Sequence, residues 1–132
     1  MKFEHFAINV THPVEMSEWY EKHLGLKAVK KMEEPPYMTF LADESGDIML
    51  EIYNNQKGDI LPFSEMHPLN VHLAFVSDDP GKDKERLLAA GASEVSDDRL
   101  PDGSRLVMLR DPWGFSVQLC KRAVPMLKSQ RL

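Results

Sequence analysis

The stretch Glu4-His5-Phe6-Ala7-Ile8-Asn9-Val10 is followed by a similar stretch, Val71-His72-Leu73-Ala74-Phe75-Val76, in which the histidine recurs at an offset of 67 residues. The same offset separates Glu51 from Gln118, and each of these residues lies in the last strand-like run of its half. A repeat of this length indicates a duplicated supersecondary unit, because a solenoid would need three or more copies. Two equivalent strands that bring two histidines, one glutamate and one glutamine to one centre have the layout of a metal site.

The composition is typical of a single globular chain. The sequence has 132 residues, of which 42% are hydrophobic and 28% charged, and its net charge is −5. An acidic chain without a cluster of basic and aromatic residues is not expected to bind nucleic acid. Cys120 is the only cysteine, which excludes an intrachain disulfide and suits a reducing compartment. No apolar run approaches the roughly 20 residues of a membrane span, and no signal-peptide pattern precedes the first strand, so we expect a cytoplasmic protein.

Hydrophobic periodicity divides each half into one strand, one helix and three further strands. In the first half the predicted elements are residues 3–10, 14–24, 26–32, 37–42 and 48–53. In the second half they are a strand at 71–76, a helix from Pro80 to Gly91, and strands at 93–98, 104–110 and 115–121. Pro13 and Pro80 suit first helical turns, and Gly25 and Gly91 suit the ends of the helices.

Two such units predict an α+β domain, in which two βαβββ repeats form one curved mixed sheet with a concave cleft and with helices on the outer face. Repeat one spans about residues 3–54, a linker residues 55–69, repeat two about residues 70–121, and a C-terminal tail residues 122–132, all within a single domain of residues 1–132. Alternation along the strands predicts that the polar residues of the repeat share the face opposite the core and converge in the cleft. They are His5, Glu51, His72 and Gln118.

Five segments carry a resemblance to known proteins, namely residues 5–10, 19–26, 48–52, 72–76 and 111–119. Over about residues 3–121 the chain resembles the vicinal oxygen chelate superfamily, which includes glyoxalase I, bleomycin-resistance proteins, fosfomycin-resistance enzymes, methylmalonyl-CoA epimerase and extradiol dioxygenases. The order and spacing of the five segments are specific for the fold and much less so for the activity, since this fold hosts many functions. The resemblance implies a glyoxalase-like domain, often in a homodimer, with a divalent metal in the cleft.

Carried over position by position, the resemblance places His5, Glu51, His72 and Gln118 where the metal ligands of the family lie. The chain departs from the family at Gln118, where glyoxalase I, the epimerase, the fosfomycin enzymes and the dioxygenases usually have glutamate. An amide cannot accept a proton at neutral pH, so the catalytic base is either Glu51, if it swings off the metal, or a residue that the sequence does not identify. The ligand mix suits Zn²⁺, Ni²⁺, Fe²⁺, Mn²⁺ or Co²⁺ and does not choose among them.

Three functions are compatible with these residues. The favoured one is a metal-dependent lyase or isomerase of glyoxalase type that acts on a small substrate with two chelating oxygens. The second is a metal-free protein that binds a small molecule or antibiotic, as bleomycin-resistance proteins do. The third, and the least favoured, is a metal-dependent transferase of the fosfomycin type, because the last strand carries Gln118 in place of a carboxylate. The same residue disfavours an extradiol dioxygenase, which is not among the three. Exposed strand edges and an open cleft, which the family often covers by dimerisation, also lead us to expect a homodimer with two-fold symmetry. Because no apolar run is long enough to span a bilayer, we expect no membrane partner.

Overall fold

Each half of the chain forms one strand, one helix and three strands, as the repeat predicts. The computed structural model describes residues 1–128, so the predicted tail lies partly outside the described residues. The elements of the first half are β1 (His5–Asn9), α1 (Pro13–Leu24), β2 (Lys27–Lys31), β3 (Thr39–Ala42) and β4 (Met49–Tyr53). Those of the second half are β5 (Leu73–Val76), α2 (Pro80–Ala89), β6 (Ser93–Arg99), β7 (Arg105–Arg110) and β8 (Ser116–Lys121), and a short 3-10 helix, Phe63–Glu65, precedes them. The α+β class and the two βαβββ repeats are confirmed.

Hydrogen bonding divides the strands into two four-stranded sheets, with the orders β1-β4-β3-β2 and β5-β8-β7-β6. In each sheet the first and last strands of a repeat are parallel neighbours, and the other neighbours are antiparallel. The sequence predicted one curved sheet. In residues 1–128 every strand instead pairs only with strands of its own repeat, and the first strand of each repeat lies beside the last strand of that repeat. The chain divides into two compact units, residues 1–61 and residue 62 onward, and each unit contains one repeat.

The two sheets have the same register at the strands of the predicted site. Ala7 pairs with Glu51 in the first sheet, and Ala74 pairs with Gln118 in the second. Ala74 follows Ala7 by 67 residues, and Gln118 follows Glu51 by the same number. Glu51 and Gln118 therefore occupy equivalent positions on equivalent strands.

In the first unit, α1 packs against β3 and β4. Met16 and Tyr20 are one helical turn apart and are both fully buried. The sheet contributes buried aliphatic side chains, Ile8, Leu41, Leu50 and Ile52. The helix ends at Gly25, which adopts a left-handed φ of 70° and donates its N–H to the carbonyl of Tyr20, as predicted.

In the second unit, α2 packs against β7 and β8. The carboxylate of Asp79 caps the helix by accepting the N–H of Lys82, and Pro80 follows it at the first helical position. Leu87 is the buried side chain of the helix that meets the sheet. The sheet side of this core consists of Val107, Leu109, Val117 and Leu119. Neither α2 nor any other helix within residues 1–128 is long and apolar enough to cross a membrane.

Candidate functional site

His5 and Glu51 meet on the face of the first sheet that points away from α1. They lie on the neighbouring strands β1 and β4, on the opposite side from the buried Ile8 and Leu50. His5 Nε2 and Glu51 Oε1 are 3.6 Å apart, which is too long for a hydrogen bond. The edge of the Phe40 ring packs against the His5 ring, with centroids 5.5 Å apart. The imidazole nitrogen and the carboxylate oxygen are therefore close together without a hydrogen bond between them.

The other ring nitrogen of His5 is held by its neighbour in the chain. His5 Nδ1 lies 2.8 Å from Glu4 Oε1. Since an ionised carboxylate only accepts hydrogen bonds, Nδ1 carries a proton, and in the neutral form of the ring the lone pair is then on Nε2. A metal-binding histidine in proteins is commonly oriented in this way, with its second nitrogen bonded to a carboxylate or a carbonyl.

His72 in the second unit has the corresponding tautomer through a different partner. It lies one residue before β5, and its Nδ1 is 2.9 Å from the carbonyl oxygen of Pro68. A carbonyl oxygen is also only an acceptor, so Nδ1–H donates to Pro68 and leaves the lone pair on Nε2. Both predicted histidine ligands thus present Nε2 as the free donor atom.

Gln118 lies on β8 at the position equivalent to Glu51 and is partly buried. The thiol of Cys120 donates to Gln118 Oε1 across 3.3 Å. Burial raises the pKa of this thiol, so that it stays protonated at neutral pH and can keep donating. A carboxamide oxygen with one thiol donor keeps a second lone pair for another partner.

The separation of one pair of candidate ligand atoms can be compared with that of two ligands on a divalent metal ion. Two ligand atoms at about 2.1 Å from one ion, with a near-tetrahedral angle between them, are about 3.4 Å apart. The 3.6 Å between His5 Nε2 and Glu51 Oε1 is close to that separation. Throughout residues 1–128, no group of three or more His, Cys, Asp and Glu side chains lies close enough together to hold an ion. The structure therefore brings His5 and Glu51 together as a pair, and it places His72 and Gln118 on the second sheet.

A cavity of about 850 Å³ lies elsewhere in the first unit, at the N-terminal end of α1. Its lining includes Pro13, Pro36, Tyr37 and Lys57, and neither His5 nor Glu51 contributes to it. We place the candidate site at the imidazole–carboxylate pair and not at this cavity, because the second unit carries two further metal-ligand types, His72 and Gln118, at the same offset from this pair.

The sequence matches the model of one protein family over most of its length. The family is the Glyoxalase/Bleomycin resistance protein/Dioxygenase superfamily, and the match covers residues 2–119. The chain belongs to this superfamily. The resemblance found in the sequence motifs is thereby confirmed. No curated protein matches the sequence.

Solved structures of other proteins share the fold of this superfamily member. Lactoylglutathione lyase from Agrobacterium tumefaciens is 23% identical with a TM-score of 0.70, covering 95% of this chain and 96% of that one. TnmS3, an antibiotic-binding protein from Streptomyces sp. CB03234, is 20% identical with a TM-score of 0.67, covering 91% and 94%. A superfamily protein from Sphaerobacter thermophilus DSM 20745 is 14% identical with a TM-score of 0.72, covering 92% and 98%. At these identities the comparison shows the fold alone, and function has to be argued from the site.

Two groups at the site of this superfamily member were not predicted from the sequence. Glu4 is adjacent to His5, so a search for carboxylates beside candidate ligands would have found it. The Pro68 carbonyl has no such signal, because every residue has a carbonyl and only the folded linker brings this one to His72.

Proposed function

We propose that the chain is a metal-dependent lyase or isomerase that acts on a small substrate with two adjacent oxygens. The observation that supports this best is the pair of unbonded donors, His5 Nε2 and Glu51 Oε1, which face each other across 3.6 Å. In the second unit His72 also supports it, because its Nδ1–H donates to the Pro68 carbonyl and the lone pair of the neutral ring is then on Nε2.

In this proposal four side chains bind the metal, namely His5, Glu51, His72 and Gln118. A bound divalent ion would polarise a carbonyl or enediolate oxygen of the substrate. Glu51 is the only carboxylate of the four, and its side chain is 15% exposed, so it is the residue that accepts a proton from the substrate carbon. Glu4 keeps the His5 ring in the required tautomer. We further propose a cytoplasmic homodimer whose partner is this small substrate, with no nucleic-acid or membrane partner.

Metal analysis and a kinetic assay test the proposal. Protein purified without chelators or metal-affinity resin is expected to contain about one divalent ion per chain. The metal-loaded protein is expected to isomerise hemithioacetals, and Glu51→Gln should lower kcat by about 10²- to 10⁴-fold through loss of the base. Glu44→Gln, in an exposed turn, is the matched control and should leave kcat unchanged. Metal-free protein, or equal kcat in Glu51→Gln and wild type, would contradict the proposal.

The alternative is a metal-free small-molecule or antibiotic-binding protein, and Gln118 favours it. An amide at this position supplies no base, and the antibiotic-binding protein TnmS3 shares the fold. Calorimetric titration of chelator-treated protein with bleomycin distinguishes the two functions. Saturable binding that is unchanged when Zn²⁺ or Ni²⁺ is added would favour the alternative. Absence of binding, together with metal in the purified protein, would favour the enzyme.

A further inference from the structure

The segment of residues 62–72 leads into β5 and ends at His72, and Arg110 of β7 binds its backbone. Arg110 Nη1 donates to the carbonyl of Phe63 at 3.0 Å, and Nη2 donates to the carbonyl of Met66 at 2.7 Å. Nη1 also donates to the carbonyl of Gly114 at 3.0 Å, in the turn that joins β7 to β8. One guanidinium therefore ties the 62–66 backbone to this turn through charge-assisted hydrogen bonds.

Side-chain packing also holds residues 62–66 against the turn between β7 and β8. The rings of Phe63 and Phe115 are in edge contact with centroids 4.8 Å apart. Gly114 has a φ of 90°, and a Cβ there would overlap Ser64, so the close approach requires glycine. Asp111 fixes the turn itself, since its buried carboxylate accepts the N–H groups of Trp113 and Phe115 at 2.9 Å each.

The bound segment continues directly to the acceptor for His72. Pro68 is buried two residues after Met66, and its carbonyl accepts the Nδ1–H of His72. A local turn supports it, because the carbonyl of His67 accepts the N–H of Asn70 and His67 Nδ1 accepts the N–H of Leu69. The position of the Pro68 carbonyl therefore depends on the backbone that Arg110 binds.

We propose that Arg110 is a positioning residue for His72, and that it acts by fixing the Pro68 carbonyl. In the first unit the carboxylate of Glu4 accepts the Nδ1–H of His5 directly and so orients that ring. In the second unit the acceptor is a backbone carbonyl, which needs an anchored segment, and Arg110 supplies the anchor. The consequence for metal binding rests on the proposed function, whereas the consequence for the His72 tautomer does not.

The first test uses ¹⁵N NMR of the imidazole rings in the metal-free protein, at a pH at which they are neutral, with His72→Asn to assign the signals. Wild type is expected to show His72 protonated on Nδ1. Arg110→Gln is expected to show a mixture of both tautomers, and Arg110→Lys, which keeps the charge and a donor, should recover part of the Nδ1–H form. The matched control is Arg99→Gln on β6, which should match wild type.

The second test is the affinity of the same proteins for Ni²⁺, measured by calorimetry. Loss of a group that orients a ligand typically costs about 10- to 100-fold in metal affinity, and we expect a loss in this range for Arg110→Gln and none for Arg99→Gln. If wild type binds no Ni²⁺, the proposed function fails and the tautomer measurement still decides the role of Arg110.

Retention of the pure Nδ1–H tautomer in folded Arg110→Gln would overturn the proposal. Should that variant not fold, as judged by circular dichroism, Phe63→Ala takes its place, because it loosens the same segment at a half-buried ring. The same mixture of tautomers is then expected, and a pure Nδ1–H signal in Phe63→Ala would overturn the proposal.

Discussion

His5 and His72 occupy equivalent places in the two repeats, yet different groups orient their rings. The offset of 67 residues relates the two positions in the sequence, but only His5 lies in a strand, β1, whereas His72 lies one residue before β5. Strand parity predicts that His5 and Glu51 share one face of the first sheet. It cannot predict the bond from His72 to the Pro68 carbonyl, because that bond depends on how residues 62–72 fold back on the turn after β7.

Gln118→Glu is expected to tighten metal binding. A carboxylate adds a negative charge at the ion where the amide is a neutral donor, and we expect at least about a tenfold gain in Zn²⁺ or Ni²⁺ affinity. The variant also restores a proton acceptor on the last strand, so isomerase activity should rise. Calorimetry of wild type, Gln118→Glu and the exposed control Gln56→Glu measures this. Equal affinities in all three proteins would show that Gln118 is not a ligand.

Cys120 is expected to be unreactive in the native protein. Burial raises the pKa of its thiol, so the fraction of reactive thiolate near neutral pH falls below that of a free cysteine. Native protein should therefore react with a thiol reagent at least about tenfold more slowly than the chain unfolded in urea. Equal rates at the same pH would contradict a buried, protonated thiol.

At the scale of elements, an ionic network joins α2 to the β6–β7 hairpin. Lys84 Nζ of the helix donates to Asp97 Oδ2 at 2.7 Å and to Glu94 Oε1 at 2.8 Å. Arg105 binds the Asp97 carboxylate with two nitrogens, at 2.7 and 2.9 Å. The sequence predicts a strand at residues 93–98, and the structure has the seven-residue strand β6 there. Its charged side chains are satisfied by ion pairs that a periodicity argument does not see.

Asp97→Asn is expected to destabilise the protein and to change its acid response. Hydrogen bonds from Arg105, and then from Lys84, hold the pKa of Asp97 well below its usual value. As pH falls, the carboxylate of Asp97 is therefore protonated in the unfolded chain before it is protonated in the folded protein. The stabilisation that the carboxylate gives at neutral pH is lost as pH falls below about 4. We expect a loss of about 1 kcal/mol in unfolding free energy at pH 7, since solvent screens the network.

Urea unfolding at pH 7 and at pH 3 measures this effect. The difference between wild type and Asp97→Asn should shrink at the lower pH, because the wild-type carboxylate begins to protonate in the unfolded chain. Asp98→Asn, on the next and more exposed position of β6, is the matched control and should change stability little at either pH. A difference that grows at pH 3 would contradict the sign of the pKa shift.

At the scale of the whole molecule, the repeat predicts the fold class, the order of the elements and the helix ends at Pro13, Gly25 and Pro80. These features follow from local chemistry and periodicity. The number of sheets cannot be predicted in this way, since pairing between strands distant in sequence depends on packing that no local pattern encodes. The family follows from the combined order of motifs, whereas the activity does not, since this fold hosts many functions.

We expect a homodimer. Within residues 1–128, β1, β2, β5 and β6 are edge strands, each with a single hydrogen-bonded neighbour in its sheet. Exposed edges are commonly covered by association with a second chain. Sedimentation velocity at low and high micromolar concentration should give the mass of two chains. A single-chain mass throughout this range would contradict the expected dimer.

The most direct measurement of the central claim is a calorimetric titration of metal-free protein with Zn²⁺ or Ni²⁺. Wild type is expected to bind about one ion per chain. His5→Ala and His72→Ala each remove a strong donor, and we expect them to weaken binding by more than the roughly 100-fold upper cost of losing an orienting group. His12→Ala, an exposed histidine just before α1, is the control and should bind as wild type does. Equal affinity in wild type, His5→Ala and His72→Ala, or no binding in any of them, would contradict the metal site.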